Sequence, residues 1–324
     1  MITPKLADRK LDATAALQSA FDESAKTGDY VLLEGYFKVT RPLIISGADV
    51  RGTFAHAGGG NWSCDVGAAV GPTRIDVNHG GPGFTLATNS ATGRSARLCG
   101  VAIVSSVLAH DAPSAVCLSI IGHDTVLRDV HLDAPGIGIL YSPNTARHVG
   151  ERLYIRSPRT GGIQFNSNTT IPDCLFRDIY INGRQHPEYA KPSAPTPRAA
   201  WALHGLPVSS GFYGRLLLEE CDTLLHTGSP INTYIEDLRC EILNVGIEIG
   251  RPYTGANYAR ELHINRLHMQ ASFSKSCVAW MGGGQGNERT TIHLGSQRYS
   301  MAPGGAWAGG TQGYTVRPKG VEWL

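Results

Sequence analysis

Between Val126 and Met281 the chain repeats one arrangement of positions: apolar, two polar, apolar, one polar, apolar. The arrangement is clearest in Leu127–Leu132 (LRDVHL), Phe176–Ile181 (FRDIYI), Ile235–Cys240 (IEDLRC) and Ile264–Met269 (INRLHM), with weaker copies at Leu98–Ile103, Gly150–Ile155 and Tyr213–Leu218. The last apolar residue of each copy gives anchors at 103, 132, 155, 181, 218, 240 and 269, separated by 29, 23, 26, 37, 22 and 29 residues. Self-similarity at such a period indicates stacked structural units.

The local period is two, so each unit predicts short strands rather than a helix. Apolar positions three apart require a bend, after which alternation resumes. A second short strand follows in most units: Gly136–Ile139, Gly162–Phe165, Gly246–Ile249 and Val278–Trp280. Strand, bend, strand, turn and strand in each coil predict an all-β right-handed parallel β-helix, a solenoid. A leucine-rich repeat has a similar period, but the helix-forming or Asn-containing segment it needs is missing from the units.

Stacking the units in this register exposes two charge ladders. Three residues before the anchors stand Gly100, Asp129, Arg152, Asp178, Arg215, Asp237 and Arg266; one residue earlier stand Arg128, Glu151, Arg177, Gly214, Glu236 and Asn265. Parallel strands lie about 4.8 Å apart, so opposite charges in these columns become neighbours. The ladders predict surface ion pairs that define register, each weak by itself.

Ahead of the coils, Asp12–Lys26 (DATAALQSAFDESAK) places Leu17, Ala20, Phe21 and Ala25 on one side and is stopped by Gly28. This predicts an amphipathic helix with Asp12 or Thr14 as its cap. Short strands follow in Tyr30–Ser46, broken by Gly35 and Pro42. A helix here covers the open end of a solenoid, where apolar core and unpaired backbone are otherwise exposed. The segment resembles the N-terminal signature of the pectate-lyase-like superfamily, through Asp12, Thr14, Ala16, Leu17, Gln18, Ala20 and Phe21 on the helix and Gly35, Tyr36 or Phe37, Pro42 and Leu43 on the strands. Glu34 stands where that family usually has Pro. The resemblance implies a right-handed β-helix beginning here. The superfamily holds polysaccharide lyases, glycoside hydrolases, epimerases and bacteriophage tailspike proteins, so it leaves activity open.

Three segments are expected: a capping helix at 1–28, a β-helix at 29–294 with a loop insertion at 182–200, and a closing tail at 295–324. Four prolines in the insertion exclude helix and strand interior. Val50 and Ile75–Val77 are expected as early rungs, with Val77 in the anchor column. The Gly-rich stretch around Trp62 lacks the Lys-Ser/Thr ending of a phosphate loop.

Composition narrows the partners. The 324 residues carry 29 Lys+Arg against 27 Asp+Glu with no basic cluster, which gives no footprint for nucleic acid. No apolar run is long enough for membrane insertion, and the first residues lack a signal-peptide pattern. Seven cysteines, an odd number without C-x-x-C, indicate neither a disulfide framework nor a zinc site. Cys240, on an anchor, should point inward as a free thiol. No metal set or other cofactor is read from the sequence.

Residues flanking the anchors should point outward. The preceding row is Ala102, His131, Tyr154, Tyr180, Leu217, Arg239 and His268; the following row is Val104, Asp133, Arg156, Asn182, Glu219, Glu241 and Gln270. Aromatic, imidazole, acid and amide groups on one face suit a sugar chain, so His131, Asp133, Tyr154, Arg156, Tyr180, Asn182 and Arg239 are the candidate substrate-binding residues. Glu219 and Glu241 fall on adjacent rungs, at a spacing close to the ~5–5.5 Å between the carboxyls of retaining glycosidases, and are the candidate catalytic pair. Asp133 with His131 is second. Ordinary solvated strand surface is the alternative. A lyase needs a base and cations to neutralise a uronate; Arg156 and Arg239 are the candidates, and the acidic cluster of a family calcium site is missing.

Two functional classes follow. One is a bacteriophage virion protein of tailspike or fibre type in the phage tail, expected as a homotrimer with other virion proteins as neighbours, which binds or also cleaves host-surface polysaccharide; a purely structural virion component is a variant of it. The other is a bacterial polysaccharide lyase or glycoside hydrolase, secreted as a mature form.

Overall fold

The computed structural model describes residues 1–4, 11–53, 73–105, 115–133, 136–143, 145–165, 173–184, 199–206, 211–227, 232–242, 245–249, 260–271, 276–280, 290–301, 306–309, 314–318 and 321–323. They form a right-handed parallel β-helix capped by one α-helix. Every described strand pairing is parallel. Two sheets run the length of the stack, one of 14 strands and one of 10.

The larger sheet is bent. Its strands include Arg97–Val104, Val126–Asp133, Val149–Arg156, Cys174–Asn182, Gly211–Glu219, Thr233–Ile242 and Arg260–Ala271. In the earlier coils the bend is a residue in the left-handed region: Gly100 at φ 67°, Asp129 at 53°, Arg152 at 51° and Asp178 at 55°. Arg215, Asp237 and Arg266 continue the same column without positive φ, paired directly across the rungs. A second left-handed column, Asp124, Arg147 and Asp173 (φ 53–60°), lies five residues earlier and marks where each coil enters the sheet. There Arg147 bonds Asp124 at 2.6 Å. The charge columns gave the first bend and not this entry turn.

The anchor column holds throughout. Ile103, Leu132, Ile155, Ile181, Leu218, Cys240 and Met269 are successive register partners. Their side chains from Ile103 to Cys240 are buried. The smaller sheet supplies the facing wall through Leu118, Ile139, Ile163, Leu203, Leu225 and Ile247. Mid-stack the core turns aromatic: Tyr141 stacks on Phe165 at 4.9 Å and Phe176 on Tyr213 at 5.3 Å. Ring pairs at this separation contribute beyond their buried area.

Two expectations shift at the ends. Ile75, not Val77, pairs with Ile103, while Val50 pairs with Leu98. The slip is two residues, so the inward face is kept. Nor does parallel pairing stop at 294. Met269 is in register with Tyr299, and Tyr299 with Trp323; the strands Tyr314–Pro318 and Val321–Trp323 both join Thr290–Met301. Aromatic residues in the anchor column, among many glycines, hid these coils.

The helix spans Thr14–Thr27 and ends on Gly28, whose φ of 82° is the left-handed cap that glycine adopts without strain. Its N-cap is Ala13, which brings no side-chain bond. Asp12 instead works from one residue outside: its carboxylate accepts from the Thr14 N–H at 3.0 Å and the Thr40 hydroxyl at 2.6 Å. Hydrogen bonds from Thr14 and Thr40 hold the Asp12 carboxyl down at about 2. Gln18 explains why the helix sits where it does. Its amide accepts from the Ile44 N–H and donates to the Ile44 carbonyl, both at 2.9 Å. Leu43–Ser46 is the terminal strand of the smaller sheet, so this side chain occupies the hydrogen-bonding place of a missing strand. Leu17, Ala20 and Phe21 close the core beneath it.

No helix among the described residues is long and apolar enough to cross a membrane. Cys117, Cys174, Cys221 and Cys240 are buried and Cys99 is partly covered. Burial pushes the Cys117 and Cys174 thiols up to about 12, which leaves them inert. Trp62 lies outside the described residues.

Candidate functional site

The row that follows the anchors comes together in the expected order. Asp133, Arg156, Asn182, Glu219, Glu241 and Gln270 are register partners on six consecutive rungs. Asp133, Arg156, Asn182 and Glu219 are the last residues of their strands, each following an anchor that is buried in the core.

Glu219 is the best-organised member. Its Oε2 accepts from the Tyr180 hydroxyl at 2.9 Å and from the Asn182 amide at 3.2 Å. Asn182 also donates to the Tyr180 oxygen at 3.2 Å, and its own Oδ1 accepts from the Arg184 N–H at 2.9 Å. One carboxylate oxygen is thus held by a phenol and an amide that fix each other. Burial pushes the Glu219 carboxyl above the usual carboxylate range; the Tyr180 hydrogen bond pulls it back, and the charges of Glu241 and Glu220 add to the rise. Glu241 sits one rung on, directly in register.

The expected 182–200 insertion is anchored beside this pair. The Gly183 N–H bonds the Glu219 carbonyl at 2.9 Å, and the Ala199 N–H bonds the Gly183 carbonyl at 3.1 Å. The Ser157 hydroxyl bonds the Arg184 carbonyl at 2.9 Å, and Arg184 lies 3.8 Å from Glu220. Gly183 and Ala199, the residues near the two ends of the expected insertion, are therefore bonded to each other beside Glu219. Residues 185–198 lie outside the described residues.

The row that precedes the anchors departs from expectation. His131, Tyr154 and Tyr180 are buried, at 1, 6 and 7% exposure, and Asp133 is buried with them. The rings follow one another along the solenoid, His131 stacked on Tyr154 at 6.3 Å and Tyr154 tilted against Tyr180 at 6.0 Å. Alternation says by which face a side chain leaves the sheet, not what covers that face. These residues form a packed ladder behind the carboxylates rather than an open sugar platform, and Tyr180 reaches the site through its hydroxyl alone. Arg239 is exposed but engaged, 3.5 Å from Asp237, which also faces Arg266 at 3.7 Å. Arg156 is half-buried.

An open aromatic surface lies on the other side of the bend. Phe212 stacks on Tyr234 at 5.4 Å with planes 13° apart, and Phe212 is 37% exposed. The Tyr234 hydroxyl donates to Glu236 at 2.9 Å. A flat ring pair with an acid at its edge is the surface on which sugar C–H faces stack. The column one residue before the first apolar position of each unit contains both rings, a signal available in the sequence.

No family model matches the chain, and no curated protein does. Solved structures do. A mutant tailspike protein of Escherichia coli bacteriophage HK620, in complex with a pentasaccharide, superposes with a TM-score of 0.59 at 9% identity over 100% of this chain and 59% of that one. The HK620 tailspike protein in complex with pentasaccharide gives 0.58 at 10% over 100% and 62%. The Dettilon tailspike protein gives 0.56 at 10% over 93% and 62%. The chain thus spans about three fifths of the length of these tailspikes. By fold, the chain is a right-handed parallel β-helix of the kind these tailspike proteins carry.

Proposed function

We propose that the protein is a phage tail component of tailspike type that binds host-surface polysaccharide and hydrolyses it at Glu219 and Glu241. The observation that carries this reading is the pairing of these glutamates on adjacent rungs, with Glu219 held by Tyr180 and Asn182. Backbones one rung apart are ~4.8 Å apart, close to the carboxyl separation of retaining enzymes. Glu219, with its carboxyl pushed up by burial, protonates the glycosidic oxygen. Glu241 attacks the anomeric carbon and forms a glycosyl ester. Water then opens the ester, its proton passing to Glu219. A raised acid beside a second carboxylate is the division of roles this chemistry needs.

The tailspike likeness in fold supports the substrate class, since two of those structures hold a pentasaccharide. The Phe212–Tyr234 pair offers a stacking surface for the same chain. A homotrimer in the virion goes with this reading, and light scattering tests it: a clean monomer removes the trimer. Activity is tested by incubating the protein with capsular polysaccharide or lipopolysaccharide and measuring new reducing ends. Absorbance at ~235 nm, from an unsaturated uronate, reports elimination instead. Binding without either product leaves the non-catalytic virion component as the correct class.

A further inference from the structure

We propose that Glu261, His263 and His293 bind one divalent transition-metal ion, Zn²⁺ or a close relative, and that the ion clips two neighbouring coils together. Glu261 and His263 are two apart on Arg260–Ala271 and leave the same face of the strand. His293 lies on the next coil, directly in register with His263. The two imidazoles are parallel, 4.2 Å between centroids and 3° between planes. His263 Nε2 is 3.1 Å from Glu261 Oε2. One ligand atom from each residue can be chosen so that all lie within 4.8 Å of one another.

These distances are close to what an ion needs. Two donors on a tetrahedral ion at 2.0–2.1 Å stand roughly 3.4 Å apart. The Glu261–His263 pair is already near that bite; the two imidazole planes are parallel, so both rings must turn for their lone pairs to meet at one ion. Two imidazoles and one carboxylate suit zinc, copper, cobalt and nickel, whereas calcium and magnesium take oxygen donors. The Glu261 and His263 side chains are 39 and 37% exposed, so water can complete the coordination. Thr291 is in register beside Glu261 and Tyr234 beside His263, while Arg317 follows His293 and ends the column. The site lies before the bend, in the column that also holds Phe212 and Tyr234, and the Glu219–Glu241 row lies after it, so this inference does not depend on the proposed hydrolysis. The sequence concealed it because Glu-x-His and the second His are separated by a whole coil.

The test uses the full chain, without a polyhistidine tag and stripped with a chelator. Zn²⁺ is titrated calorimetrically, Co²⁺ is followed by visible absorption, and thermal unfolding is recorded with and without Zn²⁺. One ion per chain, a Zn²⁺-dependent rise in unfolding temperature and no response to Mg²⁺ are expected. His263→Asn and His293→Asn should each weaken Zn²⁺ binding by ~100-fold or more, beyond the 10–100-fold typical of losing an outer partner. Glu261→Gln keeps the side-chain shape and provides an arm that folds if a histidine variant does not; it should weaken binding by at least ~10-fold. Absence of Zn²⁺ binding, binding unchanged in the variants, or an equal response to Mg²⁺ would overturn the site.

Discussion

Asp178 and Arg215 are 37 residues apart in the chain and 2.8 Å apart in space. The expected insertion falls between them in sequence, and the strands on either side, Cys174–Asn182 and Gly211–Glu219, pair in register. The same alternation places Arg128 against Glu151 at 2.7 Å and Arg152 against Asp129. Such pairs are exposed and contribute little singly. A double-mutant cycle of Asp178→Ala and Arg215→Ala should give a coupling below ~1 kcal/mol that shrinks in high salt. A coupling several times larger would mean that the pair holds the insertion's ends and not only the register.

Arg152 adopts φ 51°, a conformation that costs a residue with a Cβ ~1–2 kcal/mol. Replacing Arg152 by Ala removes the Asp129 pair and keeps the strain; replacing it by Gly removes both. Arg152→Gly should therefore be more stable than Arg152→Ala by ~1 kcal/mol, the reverse of the order at an ordinary strand position. Urea unfolding of the two variants decides it.

His148 is fully buried, with Nδ1 2.7 Å from the Thr125 hydroxyl and Nε2 2.9 Å from the Thr145 hydroxyl. Burial lowers its pKa to about 4, from 6.5. The unfolded chain then binds the proton first, so stability is intact above pH ~6.5, falls as pH drops toward ~4 and is not regained below it. At 1.36 kcal/mol per unit the loss is on the order of 3 kcal/mol. His148→Gln should flatten the stability curve in that window; an unchanged slope assigns the loss to other groups.

If Glu219 is the proton donor, cleavage should fall as pH rises through its elevated pKa, because only the protonated form donates. Glu219→Gln should cut the rate by ~10²–10⁴-fold while polysaccharide is still bound. Glu241→Gln should do the same. Full activity in Glu219→Gln, measured as reducing ends, would remove the assignment.

Burial separates the two aromatic columns. Tyr154→Ala should cost ~3 kcal/mol of stability, as large core truncations do, by opening the packed ladder. Phe212→Ala, on an open ring, should leave the unfolding midpoint within ~0.5 kcal/mol and weaken polysaccharide binding. Equal melting temperatures for both variants would contradict the contrast.

The repeated apolar spacing contained the solenoid, its anchor column from Ile103 to Met269 and most of its charge pairing, because strand alternation and rung spacing are local and periodic. The glutamate pair was legible for the same reason: residues in one column must become neighbours. The sequence did not contain what covers each face. His131 and Tyr154 leave the sheet outward as alternation requires, yet end buried, since cover comes from the whole assembly and not from the strand. Nor did it show Gln18 pairing with Ile44, the left-handed entry turn at Asp124 and Arg147, or Glu261 meeting His293. Those depend on side-chain directions and on distances between coils, which a linear pattern does not encode and the stacked structure decides.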